Sequence, residues 1–438
     1  MKASLRLAAL LALTVISACN HLPDWMGNEE DETILPGERI ALKRSAPLFE
    51  AEVPAEEMNI QLPEAYQNDS WNQALGAASG VSDQLALTQP LEHSISTGIG
   101  DGNSFSSEII PAPVIDENRV FAMDGRGVVS AHNAETLELL WKSDIVETSE
   151  SDDKLLGGGM AVASNIVYVA NDEGTIAALG TQDGRLYWKQ DLKVPLRSSP
   201  RVIGKTLLIQ TADNQLMALN RRDGQSRWIH QGLNDQASEL QSTEPAAGGD
   251  MVLATYSSGE VTALSLKDGS ELWNDMLAGS AQTALQEDRF GALSALMTPR
   301  VSFAGSPKSF TAYVTTNGRR IWERRIPLKA VPWLAGTTLY MLTTDNQLLA
   351  VNGSNGKVDW VQNLAKEEDG KTIIWQHPIV ASGAVWMVSD TGVLQGYNAL
   401  TGEPGTALSI PDGVIAAPVI AGGRLYLVDE SATLHALY

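Results

Sequence analysis

The chain has 438 residues, of which 43% are hydrophobic and 19% charged, so it can bury a large core and is not a mainly disordered protein. Its 53 acidic and 31 basic residues give a formal net charge of −22. Such a surface repels phosphates and anionic lipid headgroups, which argues against a nucleic-acid-binding protein.

The N-terminus is predicted to be a lipoprotein signal peptide covering residues 1–18. A basic start is followed by the apolar stretch 7–16, which is too short to span a bilayer, and two small residues lead to Cys19. This arrangement resembles the bacterial lipobox, which implies that Cys19 is acylated (palmitate included) and becomes the mature N-terminus. Asn20 after the cysteine implies sorting to the outer membrane. The alternative is an ordinary cleaved signal with an incidental cysteine; since Cys19 is the only cysteine, an intramolecular disulfide is excluded.

Residues 19–67 are predicted to be an acidic tether. The stretch 20–70 carries a net charge of −9 and contains five prolines with little hydrophobic periodicity. Such a segment would hold a globular body away from a membrane. It is interpreted as a spacer, with the alternative that Ile34–Ile40 docks on the body or on a partner.

Residues 68–438 are dominated by an internal repeat. Six tryptophans recur 38 to 49 residues apart, each preceded ten positions earlier by an alanine. Four positions before five of the six lies a glycine, and only Leu137 breaks this rule. The tryptophans are Trp141, Trp188, Trp228, Trp273, Trp322 and Trp360. One indole per repeat favours packing between neighbouring units over the alternative of an aromatic ligand site.

Each repeat has the pattern of a four-stranded antiparallel unit. In the third, Ser199–Ile203, Thr206–Gln210 and Gln215–Leu219 predict three strands, and Asp223-Gly224 turns the chain into a fourth strand through Trp228. The sequence therefore predicts an all-β fold: an eight-bladed β-propeller of four-stranded antiparallel blades.

Two repeats depart from the pattern. The seventh has Thr406 at the tryptophan position, and the eighth stops after its third strand, at Tyr438. Because an unpaired edge there would be a liability, we expect an N-terminal strand to pair with the C-terminal blade and close the ring. Asp69–Leu75, with its own Trp71, is predicted to be that strand, and the glycine-rich Gly98–Gly102 is predicted to lead flexibly into the first full blade.

Motifs for catalysis are scarce. No HExxH zinc motif and no GxSxG nucleophile elbow is present, and the six histidines have no metal-ligand spacing. No catalytic residue, cofactor or metal site is predicted, although loops could still assemble a site that motifs do not show. The sequence thus favours binding over catalysis.

The repeated Ala-x-Asn-x-x-Asp-Gly-x-x-x-Trp pattern of Ala218–Trp228 resembles the quinoprotein-type propeller. One branch comprises the quinone (PQQ)-dependent dehydrogenases. The other is the outer-membrane protein assembly factor BamB family, which is more similar in its lipobox, in the tethered strand around Trp71, in the Gly98-Ile-Gly100 segment and in chain length. The dehydrogenases are usually longer, and many carry adjacent cysteines or a CxxCH haem site, which a chain with one cysteine lacks.

The resemblance implies a non-catalytic, periplasm-facing outer-membrane lipoprotein of the BAM complex. It would bind the periplasmic part of the barrel-assembly subunit (BamA-like), assist membrane insertion of outer-membrane proteins, and be a monomer within that complex. Unfolded outer-membrane clients are a further expected partner, whereas nucleic acid is not. The alternatives are a quinone-dependent dehydrogenase-like enzyme and a propeller scaffold for another envelope complex.

The resemblance also implies that the partner is contacted through loops between neighbouring blades, here 232–244 and 277–298. Leu240, Arg289 and Phe290 are the candidate anchors in these loops, with local packing as the alternative. Where relatives place acidic contact residues, this chain has the apolar stretch 290–296. The tether and the segment Gly76–Ser94 are longer than in the best-known members.

Overall fold

The computed structural model describes residues 48–102, 111–145, 158–196, 198–233, 243–277, 293–306, 308–368, 370–414 and 416–438. Within these ranges the chain forms 34 strands and one short 3-10 helix, Ala55–Glu57. Eight four-stranded antiparallel sheets form the eight blades of a β-propeller, as predicted from the repeats. None of the helical residues described makes a segment long and apolar enough to cross a membrane.

Turn chemistry explains why each repeat folds into a blade. In the third blade, Ile203 pairs with Thr206, so Gly204 and Lys205 form a two-residue turn in which Gly204 has a φ of 56°. The turn into the fourth strand places Gly224 at a φ of 71°, a conformation that favours glycine. Between these turns the second strand is buried along its whole length.

The first four blades follow one another along the chain. Blade 1 comprises β2 (Val114–Asp116), β3 (Arg119–Met123), β4 (Val128–Asn133) and β5 (Leu139–Asp144). Blade 2 comprises β6 (Gly158–Ala163), β7 (Ile166–Asn171), β8 (Thr175–Gly180) and β9 (Leu186–Asp191). Blade 3 comprises β10 (Arg201–Ile203), β11 (Thr206–Gln210), β12 (Gln215–Asn220) and β13 (Ser226–Gln231). Blade 4 comprises β14 (Ala246–Gly248), β15 (Met251–Thr255), β16 (Glu260–Ser265) and β17 (Glu271–Met276).

The next three blades repeat this order, and the last one closes the ring. Blade 5 comprises β18 (Leu293–Met297), β19 (Val301–Gly305), β20 (Phe310–Val314) and β21 (Arg320–Arg324). Blade 6 comprises β22 (Trp333–Ala335), β23 (Thr338–Leu342), β24 (Gln347–Asn352) and β25 (Val358–Asn363), followed by a small hairpin of β26 (Glu367–Glu368) and β27 (Lys371–Thr372). Blade 7 comprises β28 (Ile379–Ala381), β29 (Ala384–Val388), β30 (Val393–Asn398) and β31 (Pro404–Ser409). Blade 8 comprises β32 (Val419–Ala421), β33 (Arg424–Val428), β34 (Thr433–Leu437) and the N-terminal β1 (Ser94–Gly98).

The expected closure of the ring by an N-terminal strand is confirmed, but the strand predicted for it was wrong. β1 supplies the fourth strand of blade 8, with Ile95 opposite Ala436, the position at which other blades place tryptophan opposite alanine. Trp71 instead pairs with Ile115 on the first strand of blade 1. Gly98 ends β1, and Ile99 after it is fully buried, so this segment belongs to the closing blade.

Blade 7 replaces its missing indole from a different strand. Trp386 on the second strand lies opposite Gly396, where the other blades have alanine, and its side chain is only 2% exposed. The glycine leaves room for the larger ring, since an added Cβ would lie 3.3 Å from the indole. The exception at Thr406 therefore preserves the packed volume of the blade.

Candidate binding surfaces

Six tryptophans pack between neighbouring blades. Each indole N–H donates a hydrogen bond to a backbone carbonyl in the turn between the third and fourth strands of the next blade, at 2.8–3.2 Å. A glycine of that turn lies against the ring: a Cβ on Gly184 would come within 2.5 Å of Trp141, and one on Gly269 within 2.7 Å of Trp228. Blades 2 to 6 therefore have a glycine four positions before their own tryptophans because the indole of the preceding blade packs against that glycine.

The same geometry explains why Leu137 and Thr406 break the pattern. The blade before Leu137 is blade 8, whose outer strand carries Ile95 in place of an indole, so no ring requires a glycine there. The carbonyl of Ala134 in this turn accepts a hydrogen bond from the Tyr426 hydroxyl at 3.0 Å, as that of Ala399 does from Tyr340. Blade 8, which follows Thr406, takes its fourth strand from β1, so its third and fourth strands are not joined by a turn that could receive an indole.

The segment 68–88 makes a complete circuit of the ring, and we call it the inner belt. It hydrogen-bonds to the first strand of each blade, or to the turn after it, in the order 8, 1, 2, 3, 4, 5, 6, 7 and again 8. These bonds are 2.7–3.0 Å long. They join Asn68 to Gly422, Trp71 to Ile115, Asn72 to Val162, Gln73 to Val202, Ala78 to Ala247, Ser79 to Met297, Asp83 to Gly336, Leu85 to Val380 and Thr88 to Gly423.

The contacts of the inner belt all lie where the first strand of a blade ends. Because the strands of a blade alternate in direction, the connections between blades lie at the opposite end of the ring. The belt thus occupies one end of the propeller near its axis, where first strands of adjacent blades neighbour each other.

Arg201, on the first strand of blade 3, donates hydrogen bonds to the inner belt. Its side chain is fully buried, and its Nη1 donates to the carbonyls of Ala74 and Ala77 at 2.7 and 2.6 Å, while Nε donates to the carbonyl of Pro245 at 3.1 Å. Burial lowers the pKa of this guanidinium, and the negative charge of Glu244 opposes that shift. Because a buried charge is costly unless it is hydrogen-bonded, these carbonyl contacts tie the belt to blade 3.

Residues 48–63 lie against blades 5 and 6. Phe49 donates its backbone N–H to the Gln347 side chain at 2.8 Å, and the carboxylate of Glu52 pairs with Arg324 at 2.6 Å. A hydrogen bond from Arg324 holds the pKa of Glu52 below its usual value, against the opposing effect of burial. This region falls within the range predicted to be tether.

A cavity of about 670 Å³ lies between the inner belt and blades 4 to 6. Its wall includes Val81 of the belt together with Met251, Met297 and Leu334. The volume is in the range of small-molecule pockets, and the two methionines give the wall adaptable side chains.

Polar side chains also lie beside the first strands of blades 4, 5 and 7. The Ser294 hydroxyl donates to the Glu244 carboxylate at 2.7 Å. Burial lowers the pKa of His377, which keeps the ring neutral, and Glu244 acts in the opposite sense. Within the described ranges, no three histidine, cysteine, aspartate or glutamate side chains are grouped so as to hold a metal ion.

The residues predicted to contact a partner or carry lipid lie outside the described ranges: Cys19, Leu240, Arg289 and Phe290. Sequence reasoning missed the inner belt. A signal was present, because Trp71 has Gln61 ten positions earlier and Gln67 four positions earlier, so it satisfies neither rule of the repeat tryptophans.

The chain is similar to several known proteins. The family model described as outer membrane protein assembly factor BamB matches residues 125–362. The Yersinia pestis protein named outer membrane protein assembly factor BamB is 24% identical over 370 residues, covering 81% of this chain and 90% of that protein. An uncharacterized protein of Rickettsia prowazekii is 25% identical over 280 residues, which cover 61% of this chain and 65% of that relative's length.

Two solved structures share the fold. BamB from Moraxella catarrhalis aligns with a TM-score of 0.63 at 16% identity, over 78% of this chain and 99% of that one. Quinohemoprotein alcohol dehydrogenase from Comamonas testosteroni aligns with a TM-score of 0.65 at 13% identity, over 85% of this chain and 81% of that one. These likenesses show the propeller and do not separate the two families. The family match covers more than half of the 438 residues, and on that basis the chain belongs to the outer membrane protein assembly factor BamB family.

Proposed function

We propose that the protein is a non-catalytic scaffold lipoprotein of the outer-membrane β-barrel assembly machinery. It binds the periplasmic part of the barrel subunit and assists insertion of outer-membrane proteins. The observation that carries this proposal is the family match over residues 125–362. A ring in which indoles and a circling belt join the blades is a rigid platform, which suits binding of a large partner.

The belt supports an assignment of the partner-binding end. Leu240 lies in the connection between β13 and β14, and Arg289 and Phe290 lie in the connection between β17 and β18. Connections between blades attach at the end of the ring opposite the inner belt. That end is proposed to receive the barrel subunit, with these three side chains as anchors.

The protein is proposed to be attached to the outer membrane through acylated Cys19 and to face the periplasm. Phe49 and Glu52, near the start of the described residues, contact blades 6 and 5. The 30 residues from Cys19 to Leu48 can span at most about 100 Å when fully extended. The anchor therefore permits the body to reach a neighbouring membrane complex.

A quinone-dependent dehydrogenase is the second candidate, because the Comamonas testosteroni enzyme has the same fold. Such an enzyme needs charged groups free to bind a quinone and its metal ion. In the described part of the chain, Arg201 donates to three backbone carbonyls and Glu244 accepts from Ser294, while the buried Nη2 of Arg201 has no partner. These contacts do not define a quinone site, and we derive no reaction step through that cofactor.

The proposal is tested by affinity purification of the acylated protein from detergent-solubilised outer membranes. The barrel-assembly subunit is expected to co-purify, and Leu240→Ala, Arg289→Glu and Phe290→Ala together should reduce its recovery about tenfold. Leu186→Ala is the matched control, since this leucine is 49% exposed on blade 2 and should leave recovery unchanged. Recovery of other envelope proteins without the barrel subunit would overturn the assignment, as would quinone-dependent dye reduction by the purified protein.

A further inference from the structure

Blade 8 differs from the other blades in its outer edge. In blades 1 to 7 the register between the third and fourth strands shifts at a β-bulge or irregularity, for example between Ala218 and Leu219 in blade 3. In blade 8, β1 and β34 pair without a break from Ser94–Leu437 to Gly98–Thr433. Bulges twist an edge away from further pairing, so β1 is the regular edge among the eight.

Charges distinguish the edges in the same way. The outer strands of blades 1 to 6 each contain at least one charged residue, and that of blade 7 begins with Pro404. The sequence of β1, Ser-Ile-Ser-Thr-Gly, contains neither charge nor proline. Charged residues and proline are the usual devices by which natural proteins prevent edge pairing, and β1 lacks both.

The register shows which backbone groups of β1 are available. His93 exchanges both backbone hydrogen bonds with Tyr438, at 2.9 and 3.0 Å, and Ile99 donates to Ala432 at 2.9 Å. The backbone N–H and C=O groups of the odd-numbered residues of this strand therefore point toward β34. Those of Ser94, Ser96 and Gly98 point away from it. All three residues are exposed, and within the described ranges no hydrogen bond reaches these six groups.

Two further observations support the binding of an extended strand at this edge. On the face of the strand, no heavy atom of the described residues lies within 4 Å of the position that a Cβ on Gly98 would occupy. At the outer strand of blade 6, the chain's own extended segment already uses edge groups: Glu52 N–H donates to the Val358 carbonyl at 2.8 Å, and Val358 N–H donates to the Glu52 carboxylate at 3.0 Å.

We propose that the outer edge of β1 binds an extended segment of an unfolded polypeptide as a fifth antiparallel strand of blade 8. Backbone pairing at Ser94, Ser96 and Gly98 supplies the affinity. The net charge of −22, with Glu92 exposed beside the strand, favours a neutral or basic segment and disfavours a second copy of this chain. The identification of that polypeptide as an outer-membrane protein precursor rests on the proposed function.

The experiment uses the full acylated chain and, as probe, a transmembrane β-barrel protein diluted from urea. Ser96→Pro removes one outward N–H and leaves the bonds between β1 and β34 in place, so binding of the probe should weaken about tenfold. Ile229→Pro is the matched control: Gly232 N–H bonds to Asn214, so the N–H of Ile229 also points outward, but from the bulged edge of blade 3. Ser96→Lys is a second variant that adds charge to the edge without changing the backbone.

Three outcomes would overturn the proposal. If Ser96→Pro and Ser96→Lys both had native melting temperatures and bound the probe as the wild type does, β1 would not be the binding site. An equal loss in Ile229→Pro would show that pairing is not specific to blade 8. A dimer dissolved by Ser96→Pro would identify the occupant as a second copy. In each case, retention of the barrel-assembly subunit by Ser96→Pro would leave the proposed function standing.

Discussion

The contact between an indole and the glycine of the next blade can be tested by adding one methyl group. Gly269 has a φ of 73°, and a Cβ there would lie 2.7 Å from the Trp228 ring. Gly204 has a φ of 56°, but among the residues that the structure describes no heavy atom lies within 4 Å of its Cβ position. Gly269→Ala therefore adds backbone strain and a steric clash, whereas Gly204→Ala adds strain alone.

The magnitudes follow from these two contributions. The left-handed conformation costs an alanine about 1–2 kcal/mol, and this cost applies to both variants. Overpacking a close-packed site costs about 1–3 kcal/mol more, and it applies only at Gly269. The melting temperature falls by roughly 1 °C per kcal/mol in a domain of this size. We expect decreases of about 1–2 °C for Gly204→Ala and about 2–5 °C for Gly269→Ala.

Differential scanning calorimetry on the full chain measures these shifts, and a double-mutant cycle isolates the clash. In a Trp228→Leu background the ring is absent, so Gly269→Ala should then cost only as much as Gly204→Ala. Equal shifts for the two glycine variants in the wild-type background would refute the packing argument. So would a cost at Gly269 that persists without the indole.

Three further predictions concern the inner belt and blade 1. Trp71→Ala should lower the free energy of unfolding by about 3–5 kcal/mol because the side chain is 2% exposed; an unchanged melting temperature would contradict this. Arg201→Met removes the donors to Ala74 and Ala77, so hydrogen exchange of the belt amides should accelerate; unchanged exchange would show that Arg201 does not hold the belt. Burial lowers the pKa of His132 below 6.5, so its contribution to stability is complete above pH 6.5 and declines as the pH falls through the lowered pKa. His132→Gln should therefore flatten the pH dependence of the free energy of unfolding in urea. An unaltered pH dependence would contradict this prediction.

The fold was predictable because the repeat is local. Turn glycines, alternating apolar residues and a recurring tryptophan specify each blade from its own repeat of 38 to 49 residues, as the third blade shows through Gly204, Gly224 and Trp228. Eight blades and a closure by an N-terminal strand followed from counting these units and noting the incomplete last one.

The identity of the closing strand was not predictable from the same pattern. Trp71 resembles a repeat tryptophan in type, but its environment is set by residues far away in sequence, including Ile115 and Trp333. Between blades 8 and 1, Ile95 stands where other outer strands carry tryptophan, and the larger Leu137 stands where other turns carry glycine; both belong to one hydrophobic cluster. Such compensation is visible only once the blades are placed side by side.

The inner belt was missed for a related reason. Its residues form isolated bridges to successive blades, so they show neither strand nor helix periodicity. What directs them is a ring of free backbone groups at the ends of the first strands, which exists only after the propeller has formed. The partner-binding residues Leu240, Arg289 and Phe290 were proposed from family resemblance and stay predictions.

The most direct test of the scaffold assignment is calorimetric titration of the purified protein with the periplasmic domains of the barrel-assembly subunit from the same outer membrane. We expect saturable binding of one copy to one copy, weakened by the Leu240, Arg289 and Phe290 variants and unaffected by Leu186→Ala. Absence of binding to these domains, by a protein with a native melting temperature, would contradict the central claim.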